Sequence, residues 1–118
     1  MKRTFLESNV FSQLVRSGKF SDQQLKQLQY DIMMGYGETV TGTGGFKKIR
    51  CSSQHAGKRG SWRVVFADYP KYGITILVTA FSKNVQENLS QSECNELKRL
   101  KEILDKEVNK RYGQNKEK

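Results

Sequence analysis

Histidine, cysteine, proline and acidic residues are all scarce in this chain, and each shortage closes a route. One histidine, His55, and two cysteines, Cys51 and Cys94, occur in 118 residues. A zinc site takes three or four protein ligands, usually from close pairs, and neither a C-x-x-C nor an H-x-x-x-H spacing is present, so no metal and no other cofactor is expected. Cys51 or Cys94 as a catalytic nucleophile lacks a convincing partner. His55 lies in the glycine-bearing turn SSQHAGKRG and reads as a surface histidine. Two unpaired thiols suit a reducing compartment, and a cytoplasmic location is expected. Long apolar runs are missing as well. The longest, Ile74 to Phe81, is broken by two threonines and is too short to cross a bilayer. The opening MKRTFLESNVF has no apolar core of the kind a signal peptide needs, so no membrane association is expected.

What remains is one domain's length of chain, able to bury a single modest core without disulfides. Residues 1–112 are expected to form that domain and residues 113–118 a disordered tail. Thr4 to Glu7 suits a short strand, and Asn9 to Val15 puts Phe11, Leu14 and Val15 on one side of a short helix. Ser21-Asp-Gln-Gln24 has the form of a capping box, with Phe20 and Leu25 at the staple positions. Leu25, Leu28 and Ile32 then repeat at helical spacing, and Gly35 supplies a stop. The glycines and threonines of YGETVTGTGG read as a loop. Three strands are expected next, Phe46 to Cys51, Ser61 to Tyr69 and Ile74 to Phe81, the last two joined by a turn at Pro70 to Gly73. Ser90-Gln-Ser-Glu93 is a second capping box, opening an amphipathic helix marked by Leu97, Leu100, Leu104 and Val108 and ending near Tyr112. Adjacent strands joined by short turns form an antiparallel meander, so the class is α+β.

Lys and Arg number 21 against 12 acidic residues, a net charge of +9. That is more than solubility requires and points to a polyanionic partner. The excess is concentrated. Lys47, Lys48, Arg50, Lys58, Arg59, Arg63 and Lys71, against Asp68 alone, supply +6 of it between residues 46 and 71. Side chains two apart on a strand share a face. Lys48 and Arg50 therefore project together, away from Ile49 and Cys51, and Arg63 projects away from Trp62, Val64 and Phe66. If the strands are neighbours, Lys48, Arg50 and Arg63 cluster with almost no acid nearby, and Lys83 closes the rim. Clustered like charges cost stability unless an anion offsets them. Lys47, Lys58 and Arg59 read as contacts to a nucleic-acid backbone.

The segments GTGGFKKIR and GKRGSWRVVF, an apolar strand ending FSKN, and ENLSQSECNELK, in that order, resemble HigB-type toxins of the RelE superfamily. The likeness runs from Phe5 to about Leu104. It implies an α+β fold with an N-terminal strand and two helices, an antiparallel meander and a C-terminal helix. It also implies a toxin of a type II toxin–antitoxin pair that enters the ribosomal A site and cleaves messenger RNA, held silent by a cognate antitoxin that commonly binds DNA. Lys48, Arg50 and Arg63 fall at the positions where basic residues of such toxins perform the cleavage, and Lys83 matches a frequent lysine. In place of the arginine that several members carry after that lysine, this chain has Asn84, and Leu89 and Ser90 occupy the region of a later aromatic residue.

A metal-free ribonuclease uses the substrate's own 2′-hydroxyl to attack the adjacent phosphate, leaving a 2′,3′-cyclic phosphate and a 5′-hydroxyl. That needs a base, positive charge at the transition state, and an acid for the leaving oxygen. Neighbouring cations favour the neutral, proton-accepting form of a lysine, and Lys48 fits that description. Arg50 and Arg63 suit bidentate clamping of phosphate oxygens, and Lys83 suits the acid or a further clamp. Two other readings stay open: a gyrase-directed toxin resembling ParE, and a nonenzymatic RNA-binding module with Phe46, Trp62 and Tyr69 stacking on bases.

Overall fold

Serine starts each of the three helices in the computed structural model, which describes residues 2–51, 62–83 and 85–113. Ser8 accepts a hydrogen bond from the Phe11 amide and opens α1, Asn9–Arg16. Ser21 opens α2, Asp22–Met33, through a complete capping box: the Gln24 amide donates to the serine hydroxyl, and the Gln24 side chain accepts from the Ser21 amide. Ser90 and Glu93 repeat the arrangement at the start of α3, Gln91–Val108. Each such cap is worth about 1 kcal/mol. The α2 helix ends where the glycine predicts, with Gly35 at φ +93° donating to the Ile32 carbonyl. A π-helical turn, Asn109–Gly113, extends α3. Gly113, placed in the tail by the sequence reading, is the last residue of that turn, and 114–118 lie outside the described residues.

The strands are β1 Thr4–Glu7, β2 Glu38–Thr39, β3 Lys47–Cys51, β4 Trp62–Tyr69 and β5 Ile74–Ser82. They form one sheet in the order β1-β5-β4-β3-β2. The expected antiparallel meander is its centre, β3 to β5. Two additions make it a mixed sheet. β1 lies parallel to β5, and β2, inside the stretch read as a loop, pairs antiparallel with β3 through Glu38 opposite Lys48 and Thr39 opposite Lys47. The turn between β2 and β3 is held by Thr43, fully buried, whose hydroxyl donates to the Val40 carbonyl and accepts from the Phe46 amide.

Both faces of the sheet are packed, because β4 carries the unbroken apolar run Val64-Val65-Phe66-Ala67, the mark of a strand covered on two sides. Val64 and Phe66 meet Ile49, Leu77 and the α1 and α2 residues Phe11, Leu28 and Ile32. Val65 and Ala67 meet Phe46, Val78, Phe81 and Leu97 of α3 on the other side. Polar ties fix the outer elements. Arg3 donates to Asp68 at 2.6 Å and to Thr75 at 3.0 Å, and the Thr75 hydroxyl donates to Asp68 at 2.7 Å, pinning the start of β1. Tyr69 of β4 donates to Asp105 at 2.7 Å, seating α3 on the sheet, and Lys101, one turn back on α3, donates to the same carboxylate at 2.7 Å. Burial and that hydrogen bond hold the Tyr69 phenol well above its ordinary pKa. For Asp105, burial pushes upward, but the bonds from Lys101 and Tyr69 prevail and hold it low.

Candidate active site on the open end of the sheet

The α3 side of β3 and β4 is where alternation places the cationic side chains. Ile49 and Cys51 are buried toward α1 and α2, so Lys48 and Arg50 face the other way. Arg50 stands directly opposite Arg63, and Arg63 directly opposite Phe81 of β5. One row across the sheet is thus Arg50–Arg63–Phe81, and the row beside it on the same face is Glu38–Lys48–Val65. Packing against α3 covers Val65, Ala67, Val78 and Phe81. The charged rows remain open beyond it. Gly37, Glu38, Lys48, Ile49, Arg50 and Arg63 together line a cleft of about 340 Å³. Lys48 also borders a second cleft of about 290 Å³, with Val40, Thr41, Phe81 and Leu89 in its wall.

Three of the sequence-selected residues, Lys48, Arg50 and Arg63, are therefore brought together. Lys83 does not line either cleft; its Nζ lies 3.4 Å from the Glu87 carboxylate. Lys47 alternates to the opposite face of β3 from Lys48. Lys58, Arg59 and His55 lie outside the described residues.

Two expectations change. The sequence suggested a patch nearly free of acid. Asp68 is indeed taken up by Arg3, but β2 carries Glu38 into the cleft, and its carboxylate lies 3.7 Å from Lys48 Nζ. The cause is Gly37. Its φ of +119° is open only to glycine, and a Cβ there would sit 3.0 Å from Phe66 Cζ. This bend lets the chain pass over Phe66 and present Glu38 opposite Lys48. Glu38 is the functional candidate that sequence reasoning passed over, although it is the lone acid between Asp31 and Asp68. The second change concerns Arg63, which the sequence places simply in a cluster with Lys48 and Arg50. It is half-buried, and its Nη1 is fully buried with no hydrogen-bond partner among the described residues. An unsatisfied buried donor is costly, more so when charged, and the side chain that carries it lines a cleft with Arg50 and Lys48.

The thiols are structural. Cys51 and Cys94 are both buried and form no disulfide among the described residues, and burial, with the Asp31 charge adding to it, pushes the Cys51 thiol up to about 11. Among the described residues, no three of His, Cys, Asp and Glu gather as metal ligands would, and no helix is long and apolar enough to cross a membrane. A cleft of this kind can hold an anion between two guanidinium groups and an ammonium, with one carboxylate at its edge.

The family model described as the RelE toxin of RelE / RelB toxin-antitoxin systems matches residues 2–116. With its α+β fold, mixed five-stranded sheet and cationic cleft, the chain belongs to the RelE toxin family: it is the toxin of a toxin–antitoxin pair, with a cognate antitoxin as its partner.

Proposed function

We propose that this toxin is a ribosome-dependent, metal-free endoribonuclease of the HigB type, cutting messenger RNA in the A site and so stopping translation in the cytoplasm. The observation that carries the reading is the convergence of Lys48, Arg50 and Arg63 on one open cleft, with a buried guanidinium nitrogen of Arg63 left without an acceptor among the described residues. A scissile phosphate fits among these three cations. Arg50 and Arg63 clamp its non-bridging oxygens, and Lys48 adds a third positive charge where the transition state becomes more negative. The product is a 2′,3′-cyclic phosphate, formed by attack of the neighbouring 2′-hydroxyl.

The cations off the cleft serve the rest of the strand. Lys83 holds a phosphate at the rim. Lys47, on the reverse of β3, and Lys58 and Arg59 in the β3–β4 connection extend the positive field that draws RNA in. The cleft is open, so alignment of the strand for in-line attack falls to the ribosome, and free RNA should be cut poorly.

Primer extension on a translated messenger, with and without ribosomes, tests this reading. Discrete 5′-hydroxyl ends that require ribosomes are expected. Intact messenger alongside trapped gyrase–DNA complexes would replace it with the gyrase-directed reading, and binding without cuts would leave only an RNA-binding module.

A further inference from the structure

We propose that Glu38 is the general base of the cleavage, taking the proton from the attacking 2′-hydroxyl, with Lys48 as the residue that positions its carboxylate. This rests on the endoribonuclease reading. Of the six described residues lining the cleft, Glu38 alone carries a carboxylate. Guanidinium and ammonium groups have donors only. Carboxylates as a class are ionised at neutral pH and accept without first losing a proton.

The geometry suits the role. Glu38 and Lys48 face each other across β2 and β3, a pairing that sets Cβ atoms about 5 Å apart. The 3.7 Å separation of their charged atoms exceeds a direct hydrogen bond. The Glu38 side chain is 75% exposed whereas Lys48 is 23% exposed. The lysine thus lies lower in the cleft and steers the carboxylate from beneath, while the carboxylate stands where a ribose reaches it. Lys48 and Arg50 from β3 and Arg63 from β4 are the charged groups facing it in the cleft among the described residues, and Tyr36 precedes it by two residues.

The step balances without an added reactant. The O2′ proton passes to a Glu38 carboxylate oxygen as O2′ bonds to phosphorus; the P–O5′ bond breaks, and O5′ leaves with a proton from water. Glu38 then returns its proton to the solvent. The charge on the cyclising phosphate stays between Arg50 and Arg63.

Single-turnover cleavage on programmed ribosomes, measured across pH, tests the assignment with wild type, Glu38→Gln, Glu38→Asp and Arg63→Ala, using circular dichroism and antitoxin binding to confirm folding. Glu38→Gln is expected to slow cleavage by about 10² to 10⁴-fold with ribosome binding unchanged, and Glu38→Asp to recover part of it. Wild type should lose rate as pH falls through the carboxylate range, and Glu38→Gln should not. A messenger with sulfur in place of the bridging 5′-oxygen needs no acid, so the Glu38→Gln defect should persist on it; rescue by that substrate would make Glu38 an acid and overturn the proposal. Wild-type rate or an unchanged acid limb in Glu38→Gln, while Arg63→Ala is inactive, sinks the base alone. A wild type that cuts nothing sinks the endoribonuclease reading and the base with it.

Discussion

Replacing Arg63 with alanine separates chemistry from folding, because this one side chain is both half-buried and unsatisfied. Its buried Nη1 lacks an acceptor among the described residues, a penalty of about 1 to 3 kcal/mol in the free toxin. Truncation removes that penalty and forfeits about 1 kcal/mol of packing by the aliphatic stem, which lies in the row with Phe81. Unfolding free energy should therefore move by no more than about 1 kcal/mol, or move toward greater stability. Cleavage should respond very differently. Loss of a donor aimed at transition-state charge costs about 2 to 4 kcal/mol, or 10² to 10³ in rate. Trp62→Ala is the counterpart, one residue away on the other face. Its indole is half-buried and meets Phe20 edge-on at 5.7 Å within the α1–α2 core, so about 3 kcal/mol of stability should go with it. Urea unfolding followed by circular dichroism, run beside growth arrest and primer extension, reads both axes. An Arg63→Ala protein that loses more than about 2 kcal/mol, or that cuts at the wild-type rate, refutes the placement of a substrate-facing clamp at this position.

Binding to single-stranded RNA should weaken with salt by about 0.7 log units per log unit of salt for each phosphate contact; neutralising Arg50 should lower that slope, and a slope near zero would remove the phosphate track. Gly37→Ala should destabilise the protein and slow cleavage together, since an alanine is strained at φ +119° and its Cβ would press on Phe66 Cζ at 3.0 Å; a Gly37→Ala variant with normal Tm and activity would show that β2 has another way to sit. With the Cys51 thiol near 11, roughly one molecule in a thousand carries a thiolate at pH 8, so iodoacetamide should label it far more slowly in the folded than in the unfolded protein; mass spectrometry showing equal rates contradicts its burial. The raised Tyr69 pKa adds stability that is complete below the ordinary phenol value of 10.0 and is lost as pH climbs through the folded value. Alkaline denaturation should therefore begin earlier for wild type than its neutral stability suggests, and Tyr69→Phe should flatten that limb; identical alkaline profiles would mean the phenol is neither buried nor bonded to Asp105 in solution.

Local rules made much of this legible. Ser21 with Gln24 and Ser90 with Glu93 announce two helices because a cap needs only four residues. The two-residue period sets Arg63 apart from Trp62, Val64 and Phe66 without reference to any partner. What stayed hidden depends on distant pairing. Thr4 finds Ile74, and nothing in either segment names the other. Glu38 and Thr39 make a strand only because a glycine bend and the Thr43 turn return the chain to Lys47 and Lys48, so a short polar stretch read in isolation is a loop. The same blindness hid the carboxylate beside Lys48. The run Val64 to Ala67 did contain the notice of a second core, since a strand open on one side would alternate. That core under α3 is what confines the open cationic surface to one end of the sheet.

The parallel pairing of β1 with β5 also dictates the order in which the toxin matures during its own synthesis. β1 is made first, yet its partner is the last strand of the sheet. At 5 to 20 residues per second, roughly 4 to 14 s separate Glu7 from Leu77. Until α3 follows, Val65, Ala67 and Val78 have no cover. A newborn toxin therefore spends its first seconds as an unfinished sheet with one sticky side, and in that interval a partner that binds apolar surface can capture it before the chain is whole.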